Sequence, residues 1–182
     1  KERYLLMKKL LKWLLVALGV VLLVVVGGGM LMPSQVSVSR DLVINAPAEK
    51  IFPHVANLKA FNKWSPWADM DPDMKVAFSG AEDGVGQVMS WQSTEMGEGS
   101  MTVTESTANE RLVTALDFGQ MGTASARFDL ASDTGGTKVT WSMISELGNN
   151  PIARWFGPMI KSDVSETYDK GLAKLRVVAE GE

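Results

Sequence analysis

A single apolar run, Leu10 to Met32, sets the first limit on how this chain is arranged, because it follows a basic flank of Lys1, Arg3, Lys8, Lys9 and Lys12. Lys12 is the only charge inside the run, and Trp13 to Met32 carries none. At about 1.5 Å of helical rise per residue, that stretch spans about 30 Å, the thickness of a bilayer's hydrocarbon core. Trp13 stands where an interfacial aromatic belongs, and the Lys12 stem can snorkel to the headgroups. The run predicts a membrane-spanning helix, with residues 1–33 as basic flank and anchor and residues 34–182 as a separate domain. A cleavable secretory signal shares this basic-then-apolar order. The apolar core is long for a signal, and Gly27-Gly28-Gly29-Met30-Leu31-Met32-Pro33 has no clear small-x-small cleavage site, although its glycines keep that alternative open. The flank predicts a cytoplasmic N-terminus, which puts the domain across the membrane, periplasmic if the membrane is a bacterial inner one. The chain has no cysteine, which suits an oxidising compartment and a reducing one alike.

Charge narrows the partners. Residues 1–33 carry five Lys/Arg and one Asp/Glu, and the remainder carries thirteen against twenty, a net of −7. An acidic domain without a basic stripe is a poor ligand for nucleic acid. An anionic bilayer surface would also repel it, so the contact expected with the lipid bilayer runs through Leu10 to Met32.

From Gln35 about 145 residues remain, the size of one ordinary domain. Val36 to Ile44 alternates as a first strand, and Asn45-Ala46-Pro47-Ala48-Glu49 opens a helix with Asn45 or Ala46 as cap. That helix turns Ile51, Phe52, Val55 and Leu58 inward, and Pro53 limits it to about three turns. A second short helix over 59–64 leads into a loop from Ser65 to Asp73. Short strands follow near 75–79, 87–93, 100–105, 111–118, 123–131 and 138–146. Turn signals at 81–84, 96–99, 107–109 and 133–136 separate them, the pattern of an antiparallel meander. Alternation aims Met89, Trp91, Met101, Val103, Leu112, Leu116, Phe118, Ala126, Phe128, Val139, Trp141 and Met143 toward one face. The end of the chain returns to a helical period through Ile152, Phe156, Ile160, Val164, Tyr168, Leu172 and Leu175. Gly157-Pro158 divides it into a short helix and a long one over about 158–179.

This order resembles the START-like, or SRPBCC, superfamily of polyketide cyclases, Bet v 1-type proteins and lipid-transfer domains. The resemblance rests on Ile44 to Phe52 after the first strand and on Phe61-Asn62-Lys63-Trp64-Ser65-Pro66-Trp67 with Asp71-Pro72. Gly97-Glu98-Gly99, Gly136 to Trp141 and Lys170 to Leu175 add to it, so that it covers Val36 to about Glu180. It implies an α+β helix-grip fold, in which a curved antiparallel sheet of about seven strands packs on a long C-terminal helix, with two short helices after the first strand. The superfamily habit of a cavity between sheet and helix makes the apolar side chains its candidate lining. They are Met89, Trp91, Met101, Phe118, Phe128, Trp141 and Met143 from the strands and Phe156 and Ile160 from the last helices. Trp64 and Trp67, with the loop to Asp73, suit a lid over that cavity or a partner surface.

Catalytic and metal chemistry finds less support. Asp69, Asp71 and Asp73 begin like a calcium loop, but Met74 replaces its glycine and Gly80 its final glutamate, so a polar turn is expected. His54 is the only histidine and there are no thiolates, so no zinc or copper set exists, and no cofactor is expected. His54 reads as a helix-flank residue. Gly84-Val85-Gly86 lacks the third glycine of a dinucleotide loop and leads into a strand, so it reads as a hairpin. Arg127, Asp117 and Glu146 fall on the face opposite the apolar set. Glu95 is a further acid–base candidate, and Glu105 shares the apolar parity at a strand end. The leading expectation is a membrane-anchored domain that binds an apolar or amphipathic small molecule, lipid- or quinone-like. The alternatives are an accessory subunit of a membrane protein complex, with Gly19 and Gly27–Gly29 permitting close helix approach, and a cyclase-like enzyme, for which no buried acid–base pair is evident.

Overall fold

The computed structural model describes residues 2–181. Lys1 of the basic flank and Glu182 at the end of the expected domain lie outside the described residues. Helix α1 (Glu2–Leu31) holds the apolar run, and its stretch Leu6–Leu31 is long and apolar enough to cross a membrane. Among the described residues its apolar side chains stand mostly exposed, with cover from the rest of the fold near the C-terminal end.

Strand β1 (Gln35–Ile44) is followed by α2 (Ala48–Ala56), α3 (Leu58–Trp64) and α4 (Pro66–Met70). The meander β2 (Lys75–Gly80), β3 (Gln87–Ser93), β4 (Gly97–Thr107), β5 (Arg111–Asp117), β6 (Thr123–Asp133) and β7 (Gly136–Glu146) comes next, and α5 (Pro151–Trp155) and α6 (Gly157–Glu180) complete the chain. The seven strands form one antiparallel sheet in the order β1-β7-β6-β5-β4-β3-β2. The expected α+β helix-grip architecture is what forms, with α6 laid across the β1 side of the concave face.

Several details depart from the sequence reading. Pro47 itself is the cap position of α2, where its fixed φ of −69° suits the extended entry. Asn57, unnoticed in the sequence, caps α3 by accepting from the Lys59 and Ala60 amides at 3.0 and 3.1 Å. The Ser65–Asp73 loop contains the short helix α4, with Pro66 in its first turn. Gly97-Glu98-Gly99 is strand rather than turn, because the Trp91 ring lies across Gly99 and the neighbouring Asp117 carbonyl would stand 2.7 Å from any Cβ there.

Helix α5 docks onto the last turns of α1. Trp155 Nε1 donates to the Val25 carbonyl at 2.9 Å, its ring covers Gly28, and the Pro151 carbonyl sits against Gly29. Arg154, only 8% exposed, donates to the Met30 and Met32 carbonyls at 3.3 and 3.4 Å and to the Gly148 carbonyl at 2.8 Å. A guanidinium here satisfies carbonyls that a helix C-terminus leaves open and complements the negative end of its dipole. Gly28 and Gly29 are thus covered from within the chain, whereas Gly19 and Gly27 face open space.

Candidate functional site

The concave face is built from the inward parity of β1 and β3 to β7. Val36 and Val38 of β1, Met89 of β3, Met101 and Val103 of β4, Leu112 of β5, Ala126, Phe128 and Leu130 of β6, and Val139, Trp141 and Met143 of β7 are all buried. Asn57 fixes the start of α3 so that Phe61 and Trp64 project into this face, both buried. The indole N–H of Trp64 donates to the His54 carbonyl at 2.9 Å, which meets the requirement that a buried polar group be paired.

Six rings fill the centre. Phe128 stacks on Trp141 at 4.7 Å between centroids, and Trp141 stacks on Tyr168 of α6 at 3.9 Å and 10°. Trp64 stands edge-on to both Phe128 and Trp141, at 6.2 and 5.8 Å. Phe61 meets Trp141 at 6.0 Å, and Trp67 of α4 stands at 90° to Tyr168. Edge-to-face and offset stacks of this kind add about 0.5–1.5 kcal/mol per pair beyond burial. Phe61 and Tyr168 were absent from the expected lining, although Tyr168 lies on the apolar period of its helix and so was within reach of sequence reasoning.

Burial falls off toward the end of the sheet that carries α1. Pairing aligns one row across that end, from Leu147 beside Gly122 through Phe118 and Gly99 to Trp91 and Val76. Trp91 and Phe118 meet at 5.9 Å and are only partly buried, as are Leu116 on the sheet, Trp67 on α4, and Ile160 and Val164 on α6. These six apolar side chains border the buried core. Of the expected lining, Trp64, Met89, Met101, Phe128, Trp141 and Met143 are buried. Trp67, Trp91, Phe118 and Ile160 are partly buried against the core, and Phe156, 48% exposed, lies at the start of α6.

The charged candidates face away. Between Val103 and Glu105 the β4–β5 register shifts, and this bulge turns Glu105 out to the solvent, where it lies 3.9 Å from Arg111. Arg111 and Arg127 both pair with Asp129, at 2.7 and 2.6 Å. Asp117 accepts from the Gly119 amide, Glu146 bonds Gln35 across the strand pair, and Glu95 is exposed. Asp69 pairs with Lys174 at 2.7 Å, whereas Asp71 accepts from Ser93 and from the Asp73 amide, so the three aspartates of that turn diverge. The titratable side chain in the aromatic block is Tyr168, and burial pushes its phenol above the usual tyrosine range.

Two open grooves lie elsewhere. One of about 510 Å³ lies along β2–β5 and is bordered by Lys75, Ser90, Gln92, Glu98 and Asp117, with Val76 and Trp91 also in its lining. Another of about 520 Å³ runs beside α2 at the end away from α1, lined by Phe52, Pro53, Ala56 and Ala60 together with His54 and Asp83.

A family model described as polyketide cyclase / dehydrase and lipid transport matches residues 35–180. No curated relative matches the chain. Among solved structures, Ara h 8.0201 is similar with a TM-score of 0.61 and 14% identity, over 81% of this chain and 99% of that one. Protein CV1439 from Chromobacterium violaceum aligns with a TM-score of 0.58 and 16% identity, over 80% of this chain and 98% of that one. The di-domain ARO/CYC StfQ from the steffimycin biosynthetic pathway aligns with a TM-score of 0.61 and 9% identity, over 81% of this chain and 51% of that one. At these identities the likeness is one of fold.

Proposed function

The chain belongs to the polyketide cyclase / dehydrase and lipid transport family, and from that membership we propose that it is a membrane-anchored domain that binds an apolar or amphipathic small molecule. The ligand enters between the sheet and α6, and its class is lipid-like or quinone-like. Helix α1 crosses the bilayer with its N-terminus on the cytoplasmic side, so that the domain samples membrane-derived molecules at high effective concentration.

The observation that carries this reading is a set of apolar side chains at the edge of the core, which we read as the mouth of the site. Trp67, Trp91, Leu116, Phe118, Ile160 and Val164 are only partly buried against that core. Binding sites for small molecules are concave and mainly apolar with few polar groups. The candidate acid–base residues lie on the other face, which favours binding over a cyclase-like reaction. The aromatic block limits the depth available, so the ligand sits at the mouth and reaches the centre only by displacing rings such as Trp67.

Full-length protein extracted in mild detergent is expected to carry a co-purified apolar adduct in native mass spectrometry. Phe118→Asp places a charge in the mouth and should lower adduct occupancy about tenfold in protein whose far-ultraviolet circular dichroism remains that of the folded domain. Wild-type protein that is uniformly empty would overturn the reading.

A further inference from the structure

Helix α5 packs on a part of α1 that a bilayer would contain. From Lys12 to Val25 the helix rises about 20 Å, whereas a hydrocarbon core is about 30 Å thick. With Lys12 at one boundary, the turns beyond Val25 must supply the remaining length, and these are the turns that carry Trp155, Pro151 and Arg154. Moving the boundary out to Lys9 still leaves about 6 Å to be supplied beyond Val25. Raising Val25 to the far boundary would instead draw Lys8, Lys9 and Lys12 into the hydrocarbon, where ammonium groups are costly. Tilting α1 shortens its vertical reach and only deepens the contact.

The surface beside this junction is apolar. Ile152 and Trp155 of α5 are 57% and 41% exposed, and Phe156 and Met159 at the start of α6 are 48% and 55% exposed. Charge is withdrawn from the patch, since Arg154 is buried against the α1 carbonyls. Lys161, exposed just beyond Met159, has a stem long enough to reach headgroups. Interfacial amphipathic helices bury an apolar face about 5–10 Å into the boundary between headgroups and acyl chains, a depth comparable to the one that α1 imposes on this patch.

We propose that α5 and the first turn of α6 form a monotopic seat, immersed through Ile152, Trp155, Phe156 and Met159 in the leaflet from which the C-terminal end of α1 emerges. The junction of Arg154, Trp155, Gly28 and Gly29 makes this seat rigid with the spanning helix. The apolar mouth of the sheet is thereby held at the bilayer surface, and a ligand passes between leaflet and domain without crossing bulk water. The seat rests on reading α1 as membrane-spanning and does not depend on a ligand being found.

Because the chain has no cysteine, single-cysteine variants report depth directly. Full-length Val20→Cys, Ile152→Cys, Met159→Cys, Val85→Cys and Val177→Cys, each carrying an environment-sensitive fluorophore, are reconstituted in phosphatidylcholine/phosphatidylglycerol vesicles with nitroxide-labelled acyl chains. Quenching at positions 152 and 159 is expected to exceed that at 85 and 177 by about threefold or more. Gly29→Leu, which drives a side chain into Pro151, should lower quenching at 152, whereas Gly27→Leu, which meets nothing within 4 Å, should not. Strong quenching at 20 with equal, weak quenching at 152, 159, 85 and 177 would overturn the seat alone. Absence of quenching at 20 would overturn the membrane-spanning reading beneath it. Proximity transfer between labels at 152 on two copies, without lipid quenching, would assign the patch to self-association and reject the bilayer as its partner.

Discussion

Tyr168 is buried to 2% exposure against Trp141, and its hydroxyl must stay neutral there. Its phenol ionises less readily in the folded protein than in the unfolded chain. Stability is therefore complete below the unfolded value, about pH 10, and is lost progressively above it as the unfolded state alone releases the proton. Tyr168→Phe should remove this term, so that the decline in stability between about pH 10 and 11 is shallower in urea titrations followed by far-ultraviolet circular dichroism. An identical decline in both proteins would show that the phenol does not govern it. The buried face of the sheet was legible wherever alternation decides it, as at Met89, Phe128 and Trp141. Glu105 shows where alternation stops, because the bulge that turns it outward leaves no mark in residue type. Arg154 was invisible for another reason. Its acceptors are backbone carbonyls of a helix more than a hundred residues away, and no side-chain pattern advertises them.

At the scale of elements, α6 grips the sheet through a gap cut for Trp141. A Cβ at Gly171 would stand 2.6 Å from Trp141 Cζ3 and 3.2 Å from the Pro66 ring. Gly171→Ala gains about 1 kcal/mol in helix propensity but overpacks a core that charges about 1–3 kcal/mol for such insertions. The clash is with an aromatic ring held in a stack, so the second effect should win. A net loss of about 1 kcal/mol is expected from denaturant midpoints, and a stabilised variant would show that α6 can shift outward freely. The long helix and its Gly157-Pro158 break were legible from period and punctuation. Helix α4 was hidden by the aspartates that begin inside it at Asp69 and continue to Asp73, although Ser65-Pro66 carries an ordinary helix-start signal. The glycines of 97–99 misled in the other direction, since a residue chosen to let a ring pass looks the same in sequence as one chosen for a turn.

For the whole molecule, the junction between α1 and α5 decides how the parts behave when separated. Residues 35–180 are the part matched by the family model and hold the entire sheet. Cut from α1, they lose the Met30 and Met32 carbonyls that Arg154 binds, keep only its Gly148 and Asn149 acceptors, and leave Trp155 without Gly28, beside Ile152, Phe156 and Met159 already exposed. Contiguous apolar surface of this sort drives association in water. A 35–182 fragment is expected to keep strand-rich circular dichroism yet sediment as a monomer only when detergent is present. Monomeric behaviour in plain buffer would show that the patch needs no cover.

The sheet's strand order also governs how the chain reaches this state. β1 pairs with β7, so that Gln35 faces Glu146 and the first strand made waits for the last. The hairpins from β2 to β7 are local and close early, at small cost in chain entropy. The closing step is different: it joins residues more than a hundred apart, and until it happens β7 presents a bare edge. Such high-separation pairing is the slow event in folding and the one most exposed to mispairing between chains. Arg154 and Trp155 follow β7 within a few residues and fasten to the helix that precedes β1, so the same late segment that completes the sheet also ties its last strand back to the chain ahead of its first.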